Sequence, residues 1–185
     1  AHAAWRFARS LGVAAARHFG LWHWALERLP AHLRHAFAFT DAILATSSFQ
    51  QRAFAAEGLR PVLLVPMPLL DPPGVRPTSR AALGVSEAGP LFVVVFDFGS
   101  SVRRKNPEAL IVAFLRAYPD PAEPATLLIK TVRGAQHPHE MARLRALGAD
   151  PRIILRDEEL DRAGMNGLIA AADAFVSLHR SEGFG

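Results

Sequence analysis

In the second half of the chain, two patterns of hydrophobic and polar positions alternate regularly. Short, continuous apolar runs such as residues 91–98 are typical of strands that are buried on both faces. Between these runs, apolar residues recur at helical spacing. Strands are predicted at 91–98, 126–130, 152–155 and 174–178, with helices at 107–117, 139–147 and 160–172. This alternation predicts a doubly wound parallel sheet of the α/β class, whose ligands bind beyond the carboxyl ends of the strands.

The first half shows the same pattern less regularly. Helical spacing predicts a helix over 3–18, which Gly20 ends, and an aromatic-rich stretch follows at 21–29. Further elements are predicted as a short helix at 30–37, a strand at 41–46, a helix at 49–57 and a strand at 62–65.

Prolines and glycines are concentrated at 66–77, which is typical of a linker. We therefore predict that residues 1–70 form the end of one domain, that 71–89 form a linker and crossover, and that 90–185 form a second domain. Both ends of the chain have the character of cuts within a longer protein, so the second domain is expected to be truncated at its C-terminal side.

The charge of the chain is distributed unevenly. There are 21 basic and 17 acidic residues, and residues 1–90 hold nine arginines against five acids. This excess is compatible with contact to an anionic membrane or a lipid phosphate, although a solvated arginine-rich surface is the commoner explanation. The sequence contains no cysteine, which excludes disulfides and thiolate metal sites within these residues. No apolar run in it is long enough to span a bilayer.

Candidate binding residues follow the first two strands of the second domain. Gly99 and Ser100 allow a ligand to approach the backbone, and three cations ending in Arg104 and Lys105 precede a predicted helix start at Pro107, which Asn106 is expected to cap. Lys130 ends the next predicted strand. A phosphate or diphosphate is the expected ligand of these residues, and a solvated basic turn that binds no ligand is the alternative.

Only two of the 21 basic residues are lysines, and both fall at these strand ends. A lysine retained in an arginine-rich chain indicates a need for a compact point charge. Asp97, at the end of the first of these strands, is expected to pair with a nearby cation. The acidic run 157–159 is interpreted as a solvated turn before a helix.

The last predicted strand leads into the sequence His179-Arg180-Ser181-Glu182-Gly183-Phe184-Gly185. A carboxylate flanked by glycines can accept hydrogen bonds from sugar hydroxyls while the backbone approaches closely. A plain tight turn is the alternative. No Asp-x-Asp sequence occurs, so no metal site is expected.

Taken in order, these stretches resemble the donor domain of bacterial group 1 (family 4) retaining glycosyltransferases of the GT-B type. The resemblance rests on residues 96–101, 104–107, 128–130 and above all 172–185. The first half is similar to the end of the family's acceptor domain and crossover, through residues 22–30, 41–49 and 65–68.

The resemblance implies two facing Rossmann-like domains, of which this chain would hold the end of the acceptor domain and most of the donor domain. Lys105 matches a basic residue on the donor diphosphate, and Glu182 matches the first of two glutamates, which contacts the donor sugar and is taken as catalytic. Ser100 stands where relatives commonly have arginine, which leaves Arg103, Arg104 and Lys130 as alternatives for that role. The residues expected to bind the donor are Gly99, Ser100, Arg104, Lys105, Lys130, His179, Gly183, Phe184 and Gly185.

The expected function is transfer of a hexose from a nucleotide diphosphate sugar to a glycan or lipid-linked acceptor, with retention and without a metal or other cofactor. The alternative is a non-catalytic module that binds a nucleotide sugar or phosphate. A role in bacterial polysaccharide biosynthesis, a cytoplasmic location that includes the inner face of the membrane, and no nucleic-acid partner are expected. The 185-residue chain alone is expected to be inactive, because the second glutamate would lie beyond it.

Overall fold

The computed structural model describes residues 17–69 and 73–183. The chain divides into two compact units, whose described parts are residues 17–69 with 181–183 and residues 73–180. The helix predicted over 3–18 falls almost wholly outside the described residues, as do Phe184 and Gly185. Each unit contains its own parallel sheet, which confirms the predicted α/β class.

The first unit contains three strands and two helices. The elements are β1 (Phe19–Trp22), a 3-10 helix (Ala31–Phe39), β2 (Ala42–Ala45), α1 (Ser48–Ala55) and β3 (Val62–Leu64). The strands form a sheet in the order β1-β2-β3, with parallel pairing throughout. The core of the unit is formed by buried residues of β2, of α1 and of the 3-10 helix, including Ile43, Phe54 and Phe37.

Strand β1 was not predicted, and Gly20 lies inside it rather than at the end of a helix. A strand of four residues with a central glycine has almost no periodicity of its own, and it forms because it pairs with β2, where Gly20 lies opposite Ile43. A methyl group at Gly20 would lie 2.6 Å from Nε1 of Trp22, so the glycine makes room for the indole.

The second unit contains a four-stranded parallel sheet. Its strands are β4 (Leu91–Asp97), β5 (Thr126–Val132), β6 (Ile153–Asp157) and β7 (Ala174–Phe175). They lie in the order β6-β5-β4-β7. Its helices are α2 (Arg80–Leu83), α3 (Val102–Lys105), α4 (Pro107–Ala117), α5 (Pro138–Leu147) and α6 (Arg162–Ala171), with a 3-10 turn at Gly134–Gln136.

Both faces of this sheet are covered. One core contains Val94 and residues of α4 and α5. The other contains Val93 together with Leu83 of α2 and Leu168 of α6. Neighbouring residues of β4 therefore belong to opposite cores, as the side-chain alternation of a strand requires.

The boundaries of the compact units differ from the predicted domain limits in two places. Residues 73–89 belong to the second unit, because Leu83 and Val85 are buried in its core. Residues 181–183 group with the first unit, where the Nε2 of Gln50 donates a hydrogen bond to the carbonyl of Gly183. β7 is also shorter than predicted, since only Ala174 and Phe175 are paired in register with β4.

Among residues 17–69 and 73–183, no helix combines the length and the apolar character needed to cross a bilayer.

Asp161 is the N-cap residue of helix α6, and its Oδ1 accepts a hydrogen bond from the backbone N–H of Gly164 at 2.7 Å. Asp161→Ala removes this cap and should lower the free energy of unfolding by about 1 kcal/mol, as measured by urea denaturation. Asp161→Asn retains a capping oxygen and should lose much less. Equal losses for the two substitutions would show that the cap does not stabilise α6.

Candidate functional site

The strand order of the second unit places its central strand at a topological switch point. From β4 the chain moves outward to β5 and β6, and it then returns to add β7 on the opposite side of β4. The connections from β4 to β5 and from β6 to β7 therefore cross opposite faces of the sheet, with α4 packed in the core of Val94 and α6 in the core of Val93. A crevice is expected at the carboxyl ends of β4 and β7. Most of the donor-binding residues predicted from the sequence follow β4 or β7.

A cavity of about 540 Å³ lies at the carboxyl edge of β4 and β5. Lys105, at the end of α3, and Lys130, on β5, both line it, so the structure brings the two lysines together within one unit. The other lining residues are Val95, Phe96, Asp97, Val132, Arg133, Glu159, Leu160 and Met165.

Lys130 lies deeper than the sequence indicated. It was expected to end its strand, but β5 continues through Val132, and Lys130 is only 2% exposed. In the register of the sheet it stands between Val95 and Arg156, two residues beyond the buried Leu128 and so on the same face of the sheet. Its side chain accordingly contributes to the lining of the cavity from this face of the sheet.

Burial lowers the pKa of Lys130, because desolvation penalises the charged form, while Glu158, Asp157 and Glu159 act in the opposite direction. The Lys130 ammonium forms no hydrogen bond or short ion pair with the residues that the structure describes. A cation held in this way can receive an anion without first having to give up a protein partner.

Asp97 pairs with a cation, as predicted, and the cation is Arg133. Oδ1 of Asp97 accepts hydrogen bonds from Nε of Arg133 at 2.8 Å and from the backbone N–H of Gly99 at 2.7 Å. Oδ2 accepts a second bond from Nη2 of Arg133. The guanidinium lies directly against Gly99, since a methyl group there would be 2.9 Å from its Cζ.

The turn between β4 and α3 is closed by its own side chains. The Oγ of Ser101 accepts a hydrogen bond from the backbone N–H of Arg104 at 3.3 Å and caps α3. The Nη2 of Arg104 donates to the Oγ of Ser100 at 2.5 Å. Ser100 and Arg104 therefore lie together beside the crevice, and Arg103 lies in a neighbouring cavity with Arg180.

The loop after β7 is tied to the loop after β4. The backbone N–H of Arg180 donates to the carbonyl of Arg104 at 2.8 Å, and its Nε donates to the carbonyl of Arg103 at 3.0 Å. Asn106 donates to the carbonyl of Leu178 at 3.1 Å and accepts from Nη2 of Arg180 at 3.1 Å. Asn106 is the N-cap residue of α4, as predicted, but its side chain makes these contacts instead of a capping hydrogen bond.

The remaining predicted residues follow β7. His179 is half-buried, and its backbone N–H donates to the Oγ of Ser177 at 3.4 Å. Glu182 and Gly183 belong to the first unit. There Gln50, fully buried, accepts hydrogen bonds from Thr46 and donates to the Gly183 carbonyl.

Three of these residues were missed by sequence reasoning. Arg133 follows a strand whose end was misplaced, Arg180 was treated only as part of a motif, and Gln50 lay inside a helix with no chemical signal.

The interpretation of the acidic run 157–159 as a solvated turn was wrong in part. Asp157 is not merely solvated, because its Oδ1 accepts bonds from the Oγ1 of Thr131 at 2.9 Å and the backbone N–H of Gly134 at 3.0 Å.

Among the described residues, no group of three or more histidine, aspartate or glutamate side chains is placed to hold a metal ion.

Comparison with solved structures identifies the fold. The chain is similar to the structure of OtsA without ligand, with a TM-score of 0.70 and 14% identity over 97% of this chain and 50% of that chain. The pneumococcal O-GlcNAc transferase GtfA, in complex with UDP and GlcNAc, gives 0.58 and 14% over 98% of this chain and 35% of that chain. A third structure, named trehalose-6-phosphate from E. coli bound with UDP-2-fluoro glucose, gives 0.58 and 14% over 78% and 41%.

The chain thus has a parallel-sheet, Rossmann-like fold that matches GT-B glycosyltransferase domains, which confirms the predicted fold class. It spans half or less of the length of these three structures. No family model and no curated protein matches the sequence.

The burial of Lys130 has a consequence for stability. Lys130→Met removes a desolvated charge and should raise the free energy of unfolding of the ligand-free protein by about 1 kcal/mol near neutral pH. The pKa of Lys130 is lowered in the folded state, so the unfolded chain binds more protons between the folded pKa and the ordinary lysine pKa. In that window the wild type gains stability as pH rises, and the variant does not.

The advantage of Lys130→Met should therefore be greatest below the folded pKa and shrink as pH approaches the ordinary lysine value. Urea denaturation at several pH values measures this, with Lys105→Met as the matched control at a half-buried lysine. A variant that is less stable than the wild type at every pH would contradict this account of Lys130.

Proposed function

We propose that this chain binds a nucleotide diphosphate sugar as donor substrate. The protein to which the chain belongs is proposed to be a glycosyltransferase that transfers the hexose of this donor. The observation that carries the proposal is the burial of Lys130, which lines a cavity shared with Lys105 at the carboxyl edge of the sheet. A diphosphate supplies the two negative charges that such a pair of cations can stabilise. Two observations support a nucleotide as the molecule to which this diphosphate belongs. The fold is GT-B-like, and the similar structures include GtfA with UDP and the E. coli structure with UDP-2-fluoro glucose.

In the proposed reaction the bond between the anomeric carbon and the phosphate oxygen breaks, and an acceptor hydroxyl oxygen forms a bond to the same face of that carbon. The hydroxyl proton passes to the departing diphosphate, so charge is conserved. The lysines hold the diphosphate and stabilise the charge that develops on it, which is the electrostatic form of catalysis. Retention and membership of family 4 rest on the resemblance of residues 96–107 and 172–185.

Glu182 is proposed to contact the donor sugar as the catalytic carboxylate, with Gly183, Phe184 and Gly185 completing that segment. The acceptor is proposed to be a glycan or a lipid-linked sugar, as in polysaccharide biosynthesis in the bacterial cytoplasm. The nine arginines against five acids in residues 1–90 support a position at the inner face of the membrane.

The proposal predicts the behaviour of Lys105. Lys105→Ala should weaken nucleoside diphosphate binding by about 1.5–3 kcal/mol, the scale of a hydrogen bond to a charged group. Lys105→Arg should restore the affinity only in part, because the planar guanidinium group of arginine does not reproduce the compact charge of the lysine ammonium group. Calorimetric titration with UDP, GDP, ADP and dTDP measures these affinities and identifies the nucleobase that the site prefers.

Binding of the nucleoside without phosphates should be almost unchanged in both Lys105 variants. Diphosphate affinities that are equal in the wild type, Lys105→Ala and Lys105→Arg would favour a solvated basic turn over a donor site. Binding of the nucleotide sugar with no turnover by the longest available form of the protein would favour a non-catalytic binding module.

Glu182→Gln tests the sugar contact. A nucleotide sugar should bind the wild type more tightly than its nucleoside diphosphate, and the substitution should reduce this difference by about 1.5 kcal/mol while leaving nucleoside diphosphate affinity unchanged. Glu87→Gln, at an exposed acid of the second unit, is the matched control. Loss of nucleoside diphosphate binding itself in Glu182→Gln would show that the carboxylate does not act on the sugar.

A further inference from the structure

Arg133 occupies an unusual place at the carboxyl edge of β5. It directly follows the last residue of the strand, and its backbone is left-handed, with φ of 66°. Among the described residues, Asn106 is the other non-glycine residue with positive φ. Such a conformation is disfavoured for a residue with a Cβ and persists where the surroundings hold it in place.

The conformation directs the arginine side chain back over the end of β4. Asp97 there binds the Nε and Nη2 edge of the guanidinium. Gly99 leaves the space that the guanidinium fills. These contacts use two of the five N–H donors of the group, and no bond from Nη1 to any described residue is formed.

The side chain lines the same cavity as Lys105 and Lys130. The three cations around this cavity stand against two acids, Asp97 and Glu159, so the cavity wall is cationic in balance. Lys130, at 2% exposure, is a nearly buried cation that faces the cavity without a hydrogen-bond partner among the described residues, which independently indicates an anionic ligand.

We propose that Arg133 is a phosphate-binding residue of this cavity and that Asp97 is its positioning residue. Asp97 fixes one edge of the guanidinium and leaves the Nη1 side to form paired hydrogen bonds with the oxygens of a diphosphate, the geometry that arginine favours. The inference rests on the proposed donor site and adds to it a residue that makes the site selective for a diphosphate over a single phosphate.

An exposed Asp–Arg pair with no further role accounts less well for these features. Surface ion pairs contribute little to stability, and the pair here is partly exposed on both sides. A residue that served only stability would gain from a right-handed backbone at this position. A glycine at 133 would also relieve the strain, and the chain has an arginine there.

Arg133→Gly is therefore the decisive variant, because it keeps the left-handed backbone and removes only the side chain. We expect thermal stability to be maintained and the dissociation constant for inorganic pyrophosphate, measured by calorimetry, to rise at least tenfold. The constant for inorganic phosphate should change less than threefold. Arg116→Ala, which removes an exposed arginine from the last turn of α4, is the matched control and should change both constants less than twofold.

Two further variants test the positioning. Gly99→Ala introduces a methyl group 2.9 Å from Cζ of Arg133 and should displace the guanidinium, weakening pyrophosphate binding about threefold or more. Asp97→Asn should act in the same direction. In the Arg133→Gly background Gly99→Ala should have no further effect on pyrophosphate binding, whereas a purely structural role of Gly99 would give the same loss in both backgrounds.

Pyrophosphate affinity within twofold of the wild type in Arg133→Gly would overturn the inference. If Lys105→Ala still weakened binding in that case, the proposed donor site would stand without Arg133. Absence of pyrophosphate and nucleoside diphosphate binding in the wild type would overturn both.

Discussion

The second unit depends on a parallel sheet that is covered on both faces, because this arrangement leaves only the ends of its strands open to water and ligands. Val94 packs into one core and Val93 into the other, so no face of β4 is available for chemistry. A charged side chain on a strand of this sheet must then lie near a strand end or lose its hydration. The strand order places β4 between β5 and β7, and the connections on its two sides open the crevice at that edge.

Lys130 departs from this rule, because it lies two residues before the end of β5. Its place in the register between Val95 and Arg156 puts the charge inside the edge, where desolvation lowers its pKa. Asp157, at the end of β6, and the following Glu158 and Glu159 offset part of this cost. A buried cation contributes little to the stability of a fold, and this is one reason for the proposal that Lys130 acts toward an anion.

The loops around the cavity are held by hydrogen bonds that cross between strands. Asp97 joins the end of β4 to Arg133 after β5, while Asn106 and Arg180 join the loops after β4 and β7. Such contacts fix the groups that a ligand would meet before the ligand arrives, so little ordering is left to oppose binding. The cation-lined cavity lies at the carboxyl edge of the sheet, where ligands of doubly wound parallel sheets bind.

The sequence by itself determined the alternation of strands and helices in the second unit, the parallel class of the sheet and the collection of cations after its strands. These properties follow from local periodicity and from the short range of capping and turn signals. It did not determine β1, which exists only through its pairing with β2, or the extension of β5 to Val132, which places Lys130 within the strand. Tertiary structure alone decided that Arg133 lies over Gly99, that Asn106 bonds the loop after β7 and that Gln50 binds the carbonyl of Gly183. Contacts of this kind join residues that are far apart in the chain, and a short window of sequence carries no signal of which distant group will be brought within hydrogen-bond distance.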